Sequence, residues 1–355
     1  MSVIPPIWLK SVAQRVESRL SEFLQHEQDR WSALDSDLGA PIGELTRLVN
    51  AGGKRLRPAF CHLGFIGAGG DETSIELLNA QAALELLHAS ALLHDDIIDG
   101  STTRRGEPTA HTRYLAKHTD NKWAGEGRRF GEGAAILIGD LAFVYADQLM
   151  TGVNAPTIKI WNEMRIELNI GQYLDLLGSA QRERNLTKAE RVSRYKSGKY
   201  TIERPLHLGA TMAAPDRADV LLEELSAFGL PLGDAFQMRD DVLGVFGDEA
   251  TNNTGKPIGD DIREGKPTPL LAMAYKRAST SQRQVLEDVG APQISNEDIS
   301  KIQEVIIETG ALSELETKIS GLVSESIAAI TNSSLSKQSV KQLVELAEFV
   351  AQRRN

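Results

Sequence analysis

The chain holds a single cysteine, Cys61, among 355 residues. No disulfide can close within it, and the residue count argues against a cysteine-based metal site. Cys61 lies in the apolar run Phe60 to Phe65 and reads as a buried, inert core thiol. Long hydrophobic runs are also missing. No segment approaches the ~18 uninterrupted apolar residues of a membrane-spanning helix. Met1 to Lys10 lacks a basic segment followed by an apolar one, so no signal peptide is predicted. The expected compartment is reducing and cytoplasmic. Positive charge is in deficit: 39 Lys and Arg stand against 49 Asp and Glu, a net charge of −10. That balance argues against a general nucleic-acid binder, and it makes local basic clusters informative. Aromatic residues make up only 5%. There is no period-two run of any length, no fixed repeat and no low-complexity tract.

What remains is a chain rich in helix formers. Its hydrophobic content of 41% and charged content of 25% are those of a globular protein. Leu, Ala, Glu, Ile and Arg dominate the long periodic segments, which favours helix. The length permits two or three domains or one large helical one. We take a single domain over 1–355, with the chemistry-bearing motifs within 50–270 and the helices of 280–355 given over to packing or oligomer contacts. A first helix is predicted over 7–35, where Trp8, Val12, Val16, Leu20 and Phe23-Leu24 recur at steps of three or four. A short helix follows over 42–50, then a long one over 74–100 that is apolar nearly all round and should be buried. The polar, Gly-rich stretch 115–132 reads as a long exposed loop. Further helices are predicted over 134–153, 156–181, 217–245 and 270–280. Pro205 should kink or break the helix that carries Lys196 and Ser197.

Charge placement along this frame is uneven. Asp95, Asp96 and Asp99 close the helix 74–100, and Arg104-Arg105 follow. Asp95 and Asp99 share a face about 6 Å apart along the axis. Like charges so close suggest a hard cation such as Mg²⁺ or Ca²⁺, and the arginines suggest a bridge from metal to phosphate. An isolated D-x-x-x-D pattern would read equally well as a solvated helix end. Upstream, Gly52-Gly53-Lys54-Arg55-Leu56-Arg57-Pro58 sets two glycines and three cations at a helix start, which suits a phosphate or a basic surface turn. His88 lies two turns before Asp95 on nearly the same face. A second acidic pair, Asp240-Asp241, ends the helix 217–245, with Lys196, Lys256 and Lys266 in three surrounding segments. Paired carboxylates of this kind would hold Mg²⁺ between facing helices of a bundle, and the cations would hold two anionic groups. A substrate with a diphosphate head and a hydrocarbon tail would suit that arrangement.

Taken in order, these motifs resemble the trans-isoprenyl diphosphate synthases, the polyprenyl synthetase family that includes bacterial geranylgeranyl diphosphate synthases. The resemblance runs over roughly residues 40–280, from Gly52 to Pro58 through Asp95-Asp96-Ile97-Ile98-Asp99 with Arg104-Arg105, then Gly171-Gln172, Lys196-Ser197, Gln237 with Asp240-Asp241, and Lys266. It implies an all-α isoprenoid synthase fold, a bundle around a central apolar cavity, usually as a homodimer. It implies that Lys54, Arg57, His88 and Arg105 hold the diphosphate of isopentenyl diphosphate. Arg104, Lys196, Ser197, Gln237, Lys256 and Lys266 would hold that of an allylic partner, whether dimethylallyl, geranyl or farnesyl diphosphate. Asp95, Asp99 and Asp240 would bind Mg²⁺, three ions per site with diphosphate bound, and Asp96, Asp175 and Asp241 would support them. The catalytic set is then Asp95, Asp96, Asp99, Asp240, Asp241, Lys196, Lys266 and Arg104. The implied reaction ionises the allylic diphosphate, joins the cation to the double bond of isopentenyl diphosphate and loses a proton.

Two positions depart from the family pattern. Gly244 stands where many relatives carry the last Asp of the second motif, and Ser197 stands where Thr is common. Product length should depend on the residues below Asp95, namely Ala91, Ser90, Leu87 and Leu84, with Ile136 to Val144 of a neighbouring helix as further candidates for the cavity floor. In the family, aromatic residues at the fourth or fifth position before the motif stop growth at fifteen carbons. Ala91 and Ser90 are small, so the expected product is geranylgeranyl diphosphate (C20). Longer polyprenyl products (C25 or more) and farnesyl diphosphate are the alternatives. A terpene cyclase need not keep the basic glycine turn. A non-catalytic subunit of a heteromeric synthase should have lost its acidic motifs, whereas this chain keeps five of the six positions.

Overall fold

The computed structural model describes residues 5–247 and 259–352. Among them the chain is all-α apart from one two-stranded ribbon. In order, the helices are α1 (Ile7–Ser32), α2 (Ala40–Asn50), α3 (Leu56–Gly67), α4 (Ile75–Ile98), α5 (Ala110–Asp120), α6 (Gly127–Leu149), α7 (Ala155–Ala180) and α8 (Leu186–Ser193). A π-helical segment, Arg194–Glu203, leads into α9 (Arg204–Ala213) and α10 (Ala218–Phe246). Then come α11 (Asp260–Glu264), α12 (Pro269–Arg277), α13 (Thr280–Leu286), α14 (Asn296–Glu308), α15 (Ala311–Thr331) and α16 (Lys337–Gln352). None of these helices is long and apolar enough to cross a membrane. The chain divides into two compact units. The first comprises Pro6–His62 and Asp71–Asn154; the second comprises Leu63–Gly70 and the chain from Ala155 onward, with the N-terminal residues to Pro5.

In the first unit α4 is the central element. Ser74 caps it, its hydroxyl accepting from the backbone N–H groups of Glu76 and Leu77. Its apolar residues run round the helix, and Leu77, Leu84, Leu86 and Leu87 are fully buried. α4 packs against α1 and α6, and Phe23 of α1 meets Tyr145 of α6 edge to face at 5.4 Å. Beyond α4, strands β1 (Thr103–Arg104) and β2 (Glu107–Pro108) pair antiparallel. They are joined through Arg105 (φ 53°) and Gly106 (φ 75°). A two-residue turn with both φ positive matches the twist of a hairpin.

The long loop expected over 115–132 is not there. α5 continues to Asp120 and α6 already begins at Gly127. Gly125 turns the short connection (φ 93°), but Gly127 and Gly131 serve helix contact instead. A Cβ at Gly131 would fall 2.3 Å from the His111 carbonyl oxygen, and one at Gly127 would fall 2.9 Å from Leu115 Cδ1. Their absence lets α5 and α6 approach backbone to side chain, and polar composition alone misread them as a loop signal.

In the second unit α10 runs 29 residues with Pro231 inside it. It packs against α15 and the π segment, and Ser326 of α15 donates to the Phe228 carbonyl at 2.7 Å in the buried interface. α3 meets α9 where a Cβ at Gly64 would fall 2.2 Å from the Leu206 carbonyl oxygen. The break expected at Pro205 takes a specific form. Pro205 sits in the first turn of α9, where its missing N–H costs little, and the ten residues before α9, Arg194–Glu203, adopt π geometry.

If the glycines seat α5 on α6, Gly131→Val should destabilise the protein by about 2 kcal/mol through overpacking. Denaturant unfolding measures this. A change below about 0.5 kcal/mol, normal for a surface position, would contradict the account.

Candidate active site

The first unit brings two of the expected groups of residues together. At the end of α4, Asp95, Asp96 and Asp99 lie at the negative pole of a helix, which adds to their mutual repulsion. The hairpin supplies the counter-charge. Arg104 Nε and Nη2 converge on Asp96 Oδ1 at 2.8 and 2.7 Å, and Nη2 lies 3.5 Å from Asp95 Oδ2. Asp96 is buried by this pairing, whereas Asp95 and Asp99 keep open surface. Gly100 (φ 67°) ends the helix and turns the chain toward the hairpin.

The second group is the basic glycine turn. Gly52 and Gly53 take φ of 89° and 152°, and Arg55 takes 49°. Arg55 is not available to a ligand. Its Nη1 meets Glu85 Oε2 at 2.5 Å, its Nε meets Glu17 Oε1 at 3.2 Å, and Nη2 donates to the Val49 carbonyl at 2.7 Å. It therefore fixes the shape of the turn, which leaves Lys54 and Arg57 as the cations of this stretch with open surface. Arg105 donates to the Gly52 carbonyl from the hairpin side, and a Cβ at Gly53 would fall 3.5 Å from its guanidinium. His88 sits among these cations. Burial, then Arg57, Arg105, Arg104 and Arg55, hold its pKa well below the ordinary histidine value, so the ring is neutral at physiological pH. A neutral imidazole ringed by guanidinium groups suits an anion.

The residues expected to set chain length separate. Ala91 keeps open surface, in line with His88 and Asp95, while Ser90, Leu87 and Leu84 are enclosed in the core. On α6, Ile136, Leu137 and Val144 are exposed and Ile138 is buried. His94 belongs to the α4–α6 contact: its Nε2 lies 3.2 Å from the Ile136 carbonyl, against Gly139.

The second unit gathers the remaining residues. Lys196, in the π segment, places Nζ 2.5 Å from Asp175 Oδ2 on α7. Ser197 follows with its side chain partly open. On α10, Gln237 donates from Nε2 to Asp241 Oδ1 at 2.9 Å. Asp241 Oδ2 is buried without a hydrogen-bond partner. Burial, then Asp261, then Asp240 push the pKa of Asp241 well above the usual carboxylate range. Lys266 lies 2.6 Å from Glu264 Oε2 and 3.7 Å from Asp261 Oδ1. Lys256 lies outside the described residues.

Asp261 occupies the ground of the missing motif residue. A Cβ at Gly244 would fall 2.1 Å from Asp261 Oδ2, so a side chain at 244 and the present position of Asp261 exclude each other. The backbone fixes this approach, with Gly259 N–H donating to the Gly244 carbonyl at 3.1 Å and Gly259 in the left-handed region (φ 78°). Sequence reasoning missed Asp261. The signal was Gly259-Asp260-Asp261, an acidic pair visible in the chain but tied to no partner by spacing alone.

The donors suit Mg²⁺ rather than an all-protein metal cage. Among the described residues no group of three or more His, Cys, Asp or Glu side chains forms a ready metal-binding cluster. Mg²⁺ is commonly held by one or two carboxylates together with substrate phosphates. Asp95 and Asp99 with open surface, and Asp240 beside the partnerless Asp241 oxygen, fit that demand.

Known proteins resemble the chain along most of its length. The polyprenyl synthetase family model matches residues 43–308. A geranylgeranyl diphosphate synthase of Saccharolobus solfataricus is 33% identical over 318 residues, 86% of this chain and 88% of that protein. A geranylfarnesyl diphosphate synthase of Aeropyrum pernix is 33% identical over 286 residues, 78% of this chain and 82% of that protein. Among solved structures, geranylgeranyl pyrophosphate synthase from Corynebacterium glutamicum, in complex with isoprenyl diphosphate and magnesium, superposes with a TM-score of 0.91 at 38% identity, covering 97% of this chain and 99% of that one. The chain belongs to the polyprenyl synthetase family of trans-prenyltransferases.

Proposed function

We propose that the protein condenses isopentenyl diphosphate with allylic diphosphates, head to tail and with Mg²⁺, to give geranylgeranyl diphosphate. The observation that carries this reading is the repeated pairing of acidic helix ends with their own cations. Asp95, Asp96 and Asp99 have Arg104, with the His88 and Gly52–Arg57 nest nearby in the same unit. Asp241, beside Asp240, has Lys266 acting on it, with Lys196 in the adjoining π segment. Two anionic head groups need two such sites.

Lys54, Arg57 and Arg105 hold the diphosphate of isopentenyl diphosphate, with neutral His88 as a hydrogen-bonding partner. Lys196, Ser197, Gln237 and Lys266 hold the allylic diphosphate, and Arg104 turns from Asp96 toward it. Asp95, Asp99 and Asp240 hold Mg²⁺, supported by Asp96, Asp175, Asp241 and Asp261. When bound, the metal supplies charge neutralisation to the departing diphosphate. Lys196 and Lys266 stabilise the same developing charge from fixed positions. The open face of α4 at Ala91 receives the hydrocarbon tail and keeps water from the allylic cation. The departed diphosphate, still held by the lysines, takes the proton lost on bond formation.

The exposed stripe Ile136, Leu137 and Val144 on α6 supports a homodimer, since isolated apolar faces of this kind are covered by a second copy in symmetric assemblies. The single thiol, buried at Cys61 with its pKa pushed up to about 12 by burial, suits a cytoplasmic enzyme.

Purified protein incubated with isopentenyl diphosphate, each allylic primer and Mg²⁺ should give a C20 product by chromatography. A dominant C25 product would favour the geranylfarnesyl reading, and no elongation from any primer would defeat the enzyme. In the same assay Ala91→Phe should shorten the product to C15; an unchanged length would show that the tail does not pass Ala91. Gly244→Asp restores the family residue on paper, yet it should lower turnover about tenfold or more by evicting Asp261, a loss typical of a disturbed metal-supporting group. Unchanged or faster turnover would mean that Asp261 does not stand in for that residue.

A further inference from the structure

Lys196 and Ser197 stand in a π-helical run of ten residues. π geometry normally lasts a single turn inside an α-helix, so a run of this length needs something to hold it. Pro205 explains only its end. The holding contacts come from both sides. On α7, three residues spaced one turn apart meet the segment. Glu167 takes Lys199 Nζ and also Arg204, whose Nε and Nη2 reach it at 2.7 and 2.8 Å. At Gly171, a Cβ would fall 2.3 Å from the Lys196 backbone nitrogen. Asp175 takes Lys196 Nζ at 2.5 Å. On α10, a Cβ at Gly233 would fall 2.8 Å from the Gly198 carbonyl, and one at Gly229 would fall 2.9 Å from Glu203 Cα.

Glu167 is the contact that reads the register. Lys199 and Arg204 are five residues apart. On an α-helix they would point roughly 140° apart. Where hydrogen bonds run i→i+5, residues five apart stack about one turn above each other. The π register therefore lets one buried carboxylate take both cations. Arg204 is held further by His207, whose Nδ1 lies 3.3 Å from Nη1, and His207 Nε2 lies 3.1 Å from Ser226 Oγ, which donates to Glu203 at 2.7 Å. The network is closed around the segment.

We propose that Glu167, through Lys199 and Arg204, locks the segment 194–203 in π register and so positions Lys196 and Ser197 for the allylic diphosphate. This rests on the function proposed above. Glu167 is a positioning residue: it reaches the substrate only through the segment it holds. If the lock is lost, the segment relaxes toward α-helix, and Lys196 and Ser197 rotate away from Asp175.

The test compares Glu167→Gln, Lys199→Met and Lys199→Arg with Lys301→Met, which removes an exposed ion pair with Glu297 on α14 of the same unit. KM for farnesyl diphosphate and for isopentenyl diphosphate is measured, together with amide hydrogen exchange across 194–203. Glu167→Gln and Lys199→Met should raise KM for the allylic substrate about tenfold, the scale of a lost charged hydrogen bond, leave KM for isopentenyl diphosphate within about twofold, and speed exchange across the segment. Lys199→Arg should restore most of the allylic affinity, and Lys301→Met should change none of these. Unchanged exchange and KM values, or an equal rise in both KM values, would overturn the proposal. Should Glu167→Gln not fold, Lys199→Met, which leaves Arg204 on Glu167, decides the matter. If the unaltered protein elongates nothing, the function fails separately, and exchange together with affinity for inorganic diphosphate still decides the lock.

Discussion

Carboxylates that repel one another at the ends of two long helices are the constraint on which the rest of the structure depends. Two unit charges about 5 Å apart at an effective dielectric near 20 repel by about 3 kcal/mol, and the negative pole of a helix adds a few tenths to 1 kcal/mol more. No apolar packing removes that cost; it needs cations. The chain supplies them in each unit by a separate device. In the first, a two-residue hairpin turn swings Arg104 back onto Asp96 and Asp95. In the second, a π segment brings Lys196 onto Asp175 of α7, and the left-handed glycines around α11 bring Lys266 to the end of α10, where it offsets part of the repulsion that Asp261 and Asp240 impose on Asp241. Three of the cations proposed to bind diphosphate, Arg104, Lys196 and Lys266, meet carboxylates without it.

That double duty explains why backbone geometry is so specialised near these groups. Arg105 holds positive φ in the hairpin after α4 and Arg55 holds it in the basic glycine turn, and ion pairs or hydrogen bonds anchor both. Unusual backbone persists where its surroundings over-determine it. The π run is the larger case. Its glycine contacts with α7 and α10 admit backbone where a side chain would collide, and its charges are matched across the gap by Glu167 and Asp175.

The helices were largely legible because burial writes a period into the sequence. α4, α7 and α10 begin and end close to where apolar periodicity, Ser74 and the acidic clusters place them. The acidic ends and the basic glycine turn were legible because their charges run against the overall composition. What failed were cases where one residue type serves two structural ends. Gly127 and Gly131 looked like loop glycines and are contact points between helices. Three cations in the 54–57 turn looked alike, yet Arg55 belongs to Glu85 and Glu17. Glu167, Lys199 and Arg204 carried no local signal, and Asp261 only that of an acidic pair, since each acquires meaning from a partner distant in sequence or, for Lys199 and Arg204, from a register that α-helical spacing does not anticipate.

Mg²⁺ binding with and without inorganic diphosphate tests the central claim most directly. In the absence of diphosphate, Arg104 lies against Asp95 and Asp96 and Lys266 acts on Asp241, so positive charge already stands beside the proposed metal ligands and opposes the ion. Diphosphate draws those cations to itself, exposes the carboxylates and adds its own oxygens to the metal's shell. Calorimetric titration should therefore show weak Mg²⁺ binding alone and binding tighter by about a hundredfold, a coupling near 3 kcal/mol, once diphosphate is present. Equal Mg²⁺ affinity in both conditions would mean that the carboxylates and cations do not exchange partners, and the account would be wrong.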